Sequence, residues 1–119
     1  MVDDDPALTR LVMDVLCAWG CETASAAGAG EAVGLLTLRS FDLVLSDLHM
    51  HVGNGFELLE EIRTGWPGTA VILMSSFPSP DTVSEALEAG AVAFLSKPFS
   101  LDELREVLEL LPIPTSSRG

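Results

Sequence analysis

The sequence predicts an α/β fold in which a parallel sheet is covered by helices on both faces. Three short apolar blocks have the composition of buried strands: FDLVLSD at 41–47, TAVILMS at 69–75 and AVAFLS at 91–96. Helical patterns, with apolar residues at three- and four-residue steps, separate these blocks, and this alternation is typical of right-handed βαβ units. With 119 residues, the chain is long enough for one domain with a single core.

The first part of the chain contains two predicted helices with a weaker strand between them. Asp5 can cap a helix that has Pro6 in its first turn and that ends at Gly20. The apolar stripe of this helix consists of Leu8, Leu11, Val12, Val15, Leu16 and Trp19. The segment CETASA at 21–26 is a short strand candidate, and a Gly/Ala-rich turn then leads to a helix over 31–38.

In the second part of the chain, each predicted strand is followed by a loop and a helix. The helix after FDLVLSD begins near Phe56, and the helix after TAVILMS spans 80–90. The inward-facing residues of the latter are Val83, Ala86 and Leu87. The last helix follows AVAFLS, opens with a capping box between Ser100 and Glu103, and ends at Pro112.

Composition and charge limit the function classes. The predicted domain covers residues 1–112, and residues 113–119 form a C-terminal tail or the start of a linker. The formal net charge is −12, from 18 acidic and 6 basic residues, which argues against direct binding to nucleic acid or to an anionic membrane. No apolar run approaches the roughly 20 residues that span a bilayer, and no basic secretion signal is present. We therefore expect a cytoplasmic protein that binds cations or basic partners.

Polar residues stand at the ends of four predicted strands. Asp3 and Asp4 lie near the N-terminus, Asp47 ends FDLVLSD and Ser75 ends TAVILMS. Lys97, the single lysine of the chain, follows AVAFLS. In open α/β sheets, ligands bind beyond the carboxyl ends of the strands, so we expect these five side chains at one edge of the sheet.

The chemistry of these side chains is that of a metal and phosphate site. Crowded carboxylates raise one another's pKa values unless a cation joins them. A partly hydrated Mg²⁺ needs only one or two carboxylates and a phosphate oxygen as ligands. A carboxylate can also attack phosphorus to form an aspartyl-phosphate, whose negative charge Mg²⁺, Lys97 and Ser75 can stabilise. The pattern therefore favours Asp47 as a functional carboxylate.

Four motifs occur in order along the chain: VDDDP at 2–6, SDLHM at 46–50 with NG at 54–55, ILMSS at 72–76 and FLSKPF at 94–99. Through these motifs, the chain resembles a response regulator receiver domain of two-component signalling over nearly its full length. The resemblance implies a flavodoxin-like, doubly wound, five-stranded parallel sheet in the order 2-1-3-4-5. The first strand departs from the family pattern, because only Met1 and Val2 precede the acidic residues. With this truncated first strand, we expect the N-terminus to be the least stable part of the domain.

The resemblance implies a role for each acidic site residue. Asp47 is the phosphoacceptor and a metal ligand. Asp3 and Asp4 are the acidic pair that holds Mg²⁺, and the backbone carbonyl of His49 is a further ligand. We assign the pair to Asp3 and Asp4 because Asp5 is the better helix cap.

The resemblance also implies how the site changes state. Lys97 contacts a phosphoryl oxygen, and the Lys97–Pro98 peptide bond is cis. Ser75 is the switch hydroxyl that moves toward the phosphoryl group, and Phe94 is the aromatic switch residue. Their movement changes the surface of the fourth helix, fifth strand and fifth helix, which an unknown output domain or partner recognises.

The implied phosphodonor is a histidine kinase or a phosphotransfer protein. On this interpretation the domain is a signalling module that catalyses only its own phosphorylation and dephosphorylation. The cognate kinase, the output and the oligomeric state are left open, as is whether the domain stands alone or belongs to a larger protein.

Two other functions compete with this interpretation. The truncated first strand and His51, which stands where the family commonly has proline, favour a pseudo-receiver that binds partners without phosphoryl chemistry. A Mg²⁺-dependent phosphatase with an aspartyl intermediate is less favoured. It would need an acid two residues after Asp47, where His49 stands.

Three further features are the cysteine pair, the histidines after Asp47 and the phenylalanine after Ser75. Cys17 and Cys21 are predicted to be small buried residues rather than a metal or redox pair. The histidines of HMH at 49–51 are predicted to be exposed loop residues rather than transition-metal ligands. Phe77, two residues after Ser75, is predicted to shield the phosphoryl group from water and to prolong the phosphorylated state.

Overall fold

The computed structural model describes residues 1–3, 5–49, 54–76 and 79–110, apart from the side chain of Leu110. Within these residues the helices are α1 (Pro6–Ala18), α2 (Ala29–Leu38), α3 (Gly55–Gly65), α4 (Pro80–Ala89) and α5 (Leu101–Leu110). The strands are β1 (Leu43–Asp47), β2 (Ala70–Ser75) and β3 (Ala93–Ser96). The alternation of strands and helices predicted from the sequence is confirmed. The predicted tail at 113–119 lies outside the described residues.

The strands form a parallel sheet in the order β1-β2-β3, with Asp47 paired to Met74 and Ser75 paired to Ser96. On the other side of β1, Val2 forms isolated parallel bridges to both Ser46 and Ala26. Ala26 and Val2 occupy the places of the predicted strands 2 and 1, and β1, β2 and β3 those of strands 3, 4 and 5. The order 2-1-3-4-5 is therefore kept in the described residues, and the predicted fold class is confirmed.

The first two predicted strands are shorter than expected. In the described residues they consist of the bridges at Val2 and Ala26 rather than of continuous strands. A ladder grows only where both partners supply consecutive paired residues, and among the described residues Val2 and Ala26 each supply one. Both strands are therefore reduced to single bridge residues.

Helices cover both faces of the sheet because successive strand residues point to opposite sides. In β2, Val71 and Leu73 join a core cluster formed with α2, α3 and α4, while Ile72 and Met74 join a cluster formed with α1 and α5. All four side chains are at most 2% exposed. Burying a side chain of this size stabilises a fold by about 1.5–3 kcal/mol, so β2 holds the two cores together.

Two predicted helix starts are confirmed in atomic detail. The Asp5 carboxylate accepts hydrogen bonds from the backbone N–H groups of Ala7 and Leu8, at 3.0 and 3.3 Å. The capping box of α5 is reciprocal, since the Glu103 N–H donates to the Ser100 hydroxyl and the Ser100 N–H donates to the Glu103 carboxylate. Each cap satisfies backbone donors that a helix leaves unpaired at its first turn.

Three predictions of burial were wrong. Leu11 is 53% exposed and Leu87 is 48% exposed, although both were expected to face inward. The sheet covers a narrower stripe of each helix than the apolar pattern indicated: α4 buries only Ala86 fully, and α1 buries only Val12 and Leu16. Cys17 is also exposed. Cys17 lies one residue before the end of α1, next to the buried Leu16.

Candidate functional site

The candidate site lies at the carboxyl ends of the strands. Asp47 is the last residue of β1, and Ser75 is the last residue of β2. Lys97 follows the last residue of β3, and Asp3 follows the bridge residue Val2. Parallel strands that are paired in this order end at one edge of the sheet, and this edge brings together Asp3, Asp47 and Lys97.

Lys97 lies between the two acids. Its ammonium Nζ donates to Asp3 Oδ2 at 2.6 Å and lies 3.4 Å from Asp47 Oδ1. The side chains of Lys97, Asp3 and Asp47 are 14%, 1% and 11% exposed. Buried charges of this kind are strongly coupled, because little water is present to screen them.

Asp3 is fixed through its backbone and through both carboxylate oxygens. Its N–H donates to the carbonyl of Ala26 at 3.1 Å. Its Oδ1 accepts from the N–H of Asp5 at 2.9 Å, and its Oδ2 binds Lys97. The carboxylate is therefore oriented before any ligand binds.

The charges of Asp47, at the end of β1, and of Lys97, after β3, each shift the pKa of the other group. Burial raises the pKa of Asp47, and the positive charge of Lys97 lowers it. The negative charge of Asp3 raises this pKa further, whereas the hydrogen bond from the His49 backbone N–H to the Asp47 carboxylate lowers it. The net result is a pKa above the ordinary value. Burial acts to lower the pKa of Lys97, but the hydrogen bond to Asp3 and the charge of Asp47 raise it overall. A further cation at this edge would favour the ionised form of Asp47.

The remaining described candidates lie on β2, β3 and the loop after β1. Ser75 is fully buried, and its carbonyl accepts from the Lys97 N–H at 2.8 Å. Phe94 is half-buried, pairs with Leu73 across the sheet, and packs against the core under α2, α3 and α4. The Lys97–Pro98 peptide bond is cis, as the family resemblance implied. The exposed His49 pairs through its backbone with Asn54.

The predictions made for Asp4, His51, Phe77 and Pro112 lie outside the described residues. In the part of the chain that is described, no three side chains of His, Cys, Asp or Glu form a cluster that could hold a metal ion. Asp3 and Asp47 nevertheless supply two buried carboxylates at one edge, and oxygen ligands of this kind suit Mg²⁺ rather than a softer metal. The donor chemistry of the described residues therefore fits the predicted ion.

Comparison with known proteins decides the family. The model of the response regulator receiver domain matches residues 1–109. The chain belongs to the response regulator receiver domain family. The structure is similar to that of the chemotaxis protein CheY4 of Vibrio cholerae, with 30% identity, a TM-score of 0.86 and 92% of each chain covered.

Curated relatives of this receiver domain are longer proteins. The transcriptional regulatory protein ZraR of Salmonella typhimurium is 37% identical over all 119 residues, which make up 27% of its length. The response regulator protein PilR of Pseudomonas aeruginosa is 38% identical over 108 residues, which cover 91% of this chain and 24% of that protein. The receiver domain thus spans about a quarter of the length of these relatives.

The comparisons establish a signalling module of two-component systems. Because ZraR is named a transcriptional regulatory protein, they do not support the expectation that direct nucleic-acid contact is absent. Among the described helices of the receiver domain, none is both long and apolar enough to cross a bilayer.

The sequence predictions assigned no role to two residues that contact the backbone of Asp47. The buried hydroxyl of Ser46 donates to the Asp47 carbonyl at 3.0 Å. Gly55, the first residue of α3, is buried so closely that a Cβ atom there would lie 2.8 Å from the same carbonyl. The signal for Gly55 was its place in the NG pair after a loop, where Asn54 caps the helix. Nothing in the local sequence marks Ser46, since its role depends on the turn of the chain after β1.

Proposed function

We propose that the receiver domain accepts a phosphoryl group on Asp47 from the phosphohistidine of a histidine kinase or phosphotransfer protein. The observation that carries this proposal is the position of the Lys97 ammonium, 2.6 Å from Asp3 and 3.4 Å from Asp47. A nucleophilic carboxylate beside a fixed cation has the arrangement that phosphoryl transfer needs, because the transfer depends on positioning and on neutralising the charge of the phosphoryl oxygens.

The transfer exchanges one bond to phosphorus for another. An oxygen of the ionised Asp47 carboxylate attacks phosphorus, the bond between phosphorus and the donor imidazole nitrogen breaks, and the imidazole leaves with the electron pair and takes a proton. Lys97 then donates to a phosphoryl oxygen and balances part of the new negative charge. Asp47 as a whole is 7% exposed, so little of this residue is in contact with bulk water.

Mg²⁺ is the cofactor that this site is proposed to bind. The carboxylates of Asp3, Asp4 and Asp47 and the backbone carbonyl of His49 are its proposed ligands. When bound, the ion neutralises charge on the phosphoryl oxygens. The raised pKa of Asp47 supports this assignment, since part of that rise comes from the repulsion of Asp3, which a divalent cation relieves.

Phosphorylation is proposed to act through Ser75 and Phe94. The Ser75 hydroxyl moves toward the phosphoryl group, and Phe94 then reorients in the space that this movement opens. Phe94 belongs to β3, which lies in sequence between α4 and α5. Leu87 of α4, Val92 just before β3 and Leu101 of α5 are exposed, and we assign the output domain or partner to the surface of these three elements.

A cytoplasmic location is part of the proposal, because the phosphodonor is expected there. The isolated bridges of Val2 are the observation that favours the alternative, a pseudo-receiver that binds partners without phosphoryl chemistry. A short first strand fixes Asp3 less firmly than a full strand does, and Asp3 is a proposed metal ligand.

Incubation with acetyl phosphate and Mg²⁺, followed by intact-mass spectrometry, tests the proposal. We expect a gain of about 80 Da in the unsubstituted domain, none in Asp47→Asn, and none when a chelator removes Mg²⁺. Glu61→Gln changes an exposed acid of α3 and serves as the matched control, with an unchanged mass gain. No gain in the unsubstituted domain at saturating acetyl phosphate would favour the pseudo-receiver.

A further inference from the structure

Gly55 packs against the backbone of the proposed phosphoacceptor. A Cβ atom at this position would lie 2.8 Å from the Asp47 carbonyl oxygen, 3.0 Å from Leu48 Cα and 3.0 Å from Leu73 Cδ2. Two of these three atoms belong to the backbone, which cannot rotate away as a flexible side chain can. Any residue other than glycine would therefore push the start of α3 and the turn after β1 apart.

The contact belongs to a set of hydrogen bonds that fixes this turn. The Gly55 N–H donates to the Leu48 carbonyl at 2.9 Å, and the Leu48 N–H donates to Met74 of β2 at 2.8 Å. The Asp47 carbonyl, which faces Gly55, also accepts the Ser46 hydroxyl at 3.0 Å. The peptide groups that follow Asp47 are thus held between β2 and the first turn of α3.

The same turn carries the peptide N–H that reaches the Asp47 carboxylate. His49 donates this hydrogen bond, and its backbone also pairs with Asn54, the cap of α3. Asn54 is fixed in turn, because its side chain accepts from the Glu57 N–H at 2.9 Å and donates to the Glu57 carboxylate at 2.7 Å. A displacement of the start of α3 would therefore change the direction of the His49 peptide group.

We propose that Gly55 is a positioning residue for phosphoryl transfer to Asp47. Its lack of a side chain lets α3 close onto residues 47–49, and this closure aims the His49 peptide group at the Asp47 carboxylate. The inference rests on the proposed function, and it adds that α3, a helix outside the acidic cluster, sets the geometry of the acceptor.

Gly55→Ala tests the inference, with Gly65→Ala as the control in the same helix, because a Cβ atom at Gly65 meets nothing within 4 Å. We expect the initial rate of phosphorylation by acetyl phosphate to fall by about tenfold or more in Gly55→Ala, since small misplacements of reacting groups are costly. We also expect the Mg²⁺ dissociation constant, measured by calorimetry, to rise several-fold. Gly65→Ala should leave both values unchanged.

Two more variants separate positioning from stability. Leu36→Ala opens the core at α2 and destabilises the domain away from the turn, so at a temperature where it stays folded it should be phosphorylated at the normal rate. Ser46→Ala removes the hydroxyl on the Asp47 carbonyl without adding an atom, and we expect a smaller loss of rate in the same direction. If Gly55→Ala does not fold, the phosphorylation rate of Ser46→Ala tests the inference instead.

Normal rates and normal Mg²⁺ affinity in folded Gly55→Ala, or in Ser46→Ala where Gly55→Ala does not fold, would overturn the inference and leave the proposed function intact. A loss of rate in Leu36→Ala equal to that in Gly55→Ala would also overturn it, because the effect would then follow stability alone. Failure of the unsubstituted domain to be phosphorylated is a separate result, which overturns the proposed function and this inference together.

Discussion

The two ends of the sheet hold their charges in different ways. At the carboxyl end, Lys97 lies between Asp3 and Asp47, and at most 14% of each side chain is exposed. At the amino end, Arg39 pairs with Glu22, and their side chains are 46% and 77% exposed. An exposed pair contributes less than about 1 kcal/mol, whereas burying an ion costs several kcal/mol. Breaking the carboxyl-end cluster should therefore cost more stability than breaking the exposed pair at the amino end.

The amino end of the sheet also contains a cavity and a second exposed cation. A cavity of about 120 Å³ lies next to Met1, between residues 21–24 and the start of β1. Arg63, near the end of α3, donates to the backbone carbonyl of Ala89 at 2.6 Å. Loss of the cation at the carboxyl end should therefore lower the free energy of unfolding more than loss of a cation at the amino end.

The largest effect on stability is expected from Lys97→Met. Removing the ammonium leaves two buried carboxylates without a counter-charge, so we expect the free energy of unfolding to fall by about 3 kcal/mol in a urea titration without Mg²⁺. Saturating Mg²⁺ should restore part of the loss, because a cation that binds the folded state stabilises it. Arg39→Met is the matched control, with a loss below about 1 kcal/mol. Equal losses in the two variants would contradict the comparison.

A smaller effect is expected at Gly90, which ends α4 with φ at +113°. A Cβ atom there would lie 2.5 Å from the Cδ and Nε atoms of Arg63. Gly90→Ala should therefore lower the free energy of unfolding by about 2 kcal/mol, through backbone strain and a weaker contact between Arg63 and Ala89. Gly65→Ala should instead stabilise the domain by up to about 1 kcal/mol, as glycine to alanine does in an open helical position. A loss in Gly65→Ala as large as that in Gly90→Ala would mean that the Arg63 contact is not the cause.

Local features of the sequence predicted the local structure well. Asp5 and the Ser100–Glu103 capping box need only neighbouring residues, and both form as expected. The exposure of Leu11 and Leu87 was not predicted, because periodicity gives the side of a helix that is apolar but not the width that the sheet covers.

The contacts of the site depend on residues that are distant in sequence. The order of motifs placed Asp3, Asp47 and Lys97 at one edge, but which carboxylate Lys97 binds more closely follows from packing. Likewise, no local pattern connects Arg63 to Ala89, because the contact forms only after α3 and α4 pack side by side. Sequence therefore predicted the members of the site better than their hydrogen bonds.

The smallest expected effect is on the dependence of stability on alkaline pH. The pKa of Lys97 is raised above its ordinary value of 10.5 in the folded state, so its contribution to stability is present below that pH and is lost as the pH rises through the folded value. The chain has no tyrosine and no other lysine, but burial also raises the pKa of the Cys21 thiol, so the contribution of Lys97 is the difference between the unsubstituted domain and Lys97→Met. Urea midpoints should fall more steeply above this pH in the unsubstituted domain than in Lys97→Met. Parallel curves would show that the two acids do not hold the ammonium.

The most direct test of the phosphoacceptor is to locate the phosphoryl group. After incubation with acetyl phosphate and Mg²⁺, borohydride reduction converts an aspartyl-phosphate to homoserine, which marks the modified residue for peptide mass spectrometry. We predict that the mark appears at Asp47 alone and disappears in Asp47→Asn. A mark at Asp3, or at an exposed acid such as Glu61, would contradict the assignment of Asp47 as the phosphoacceptor.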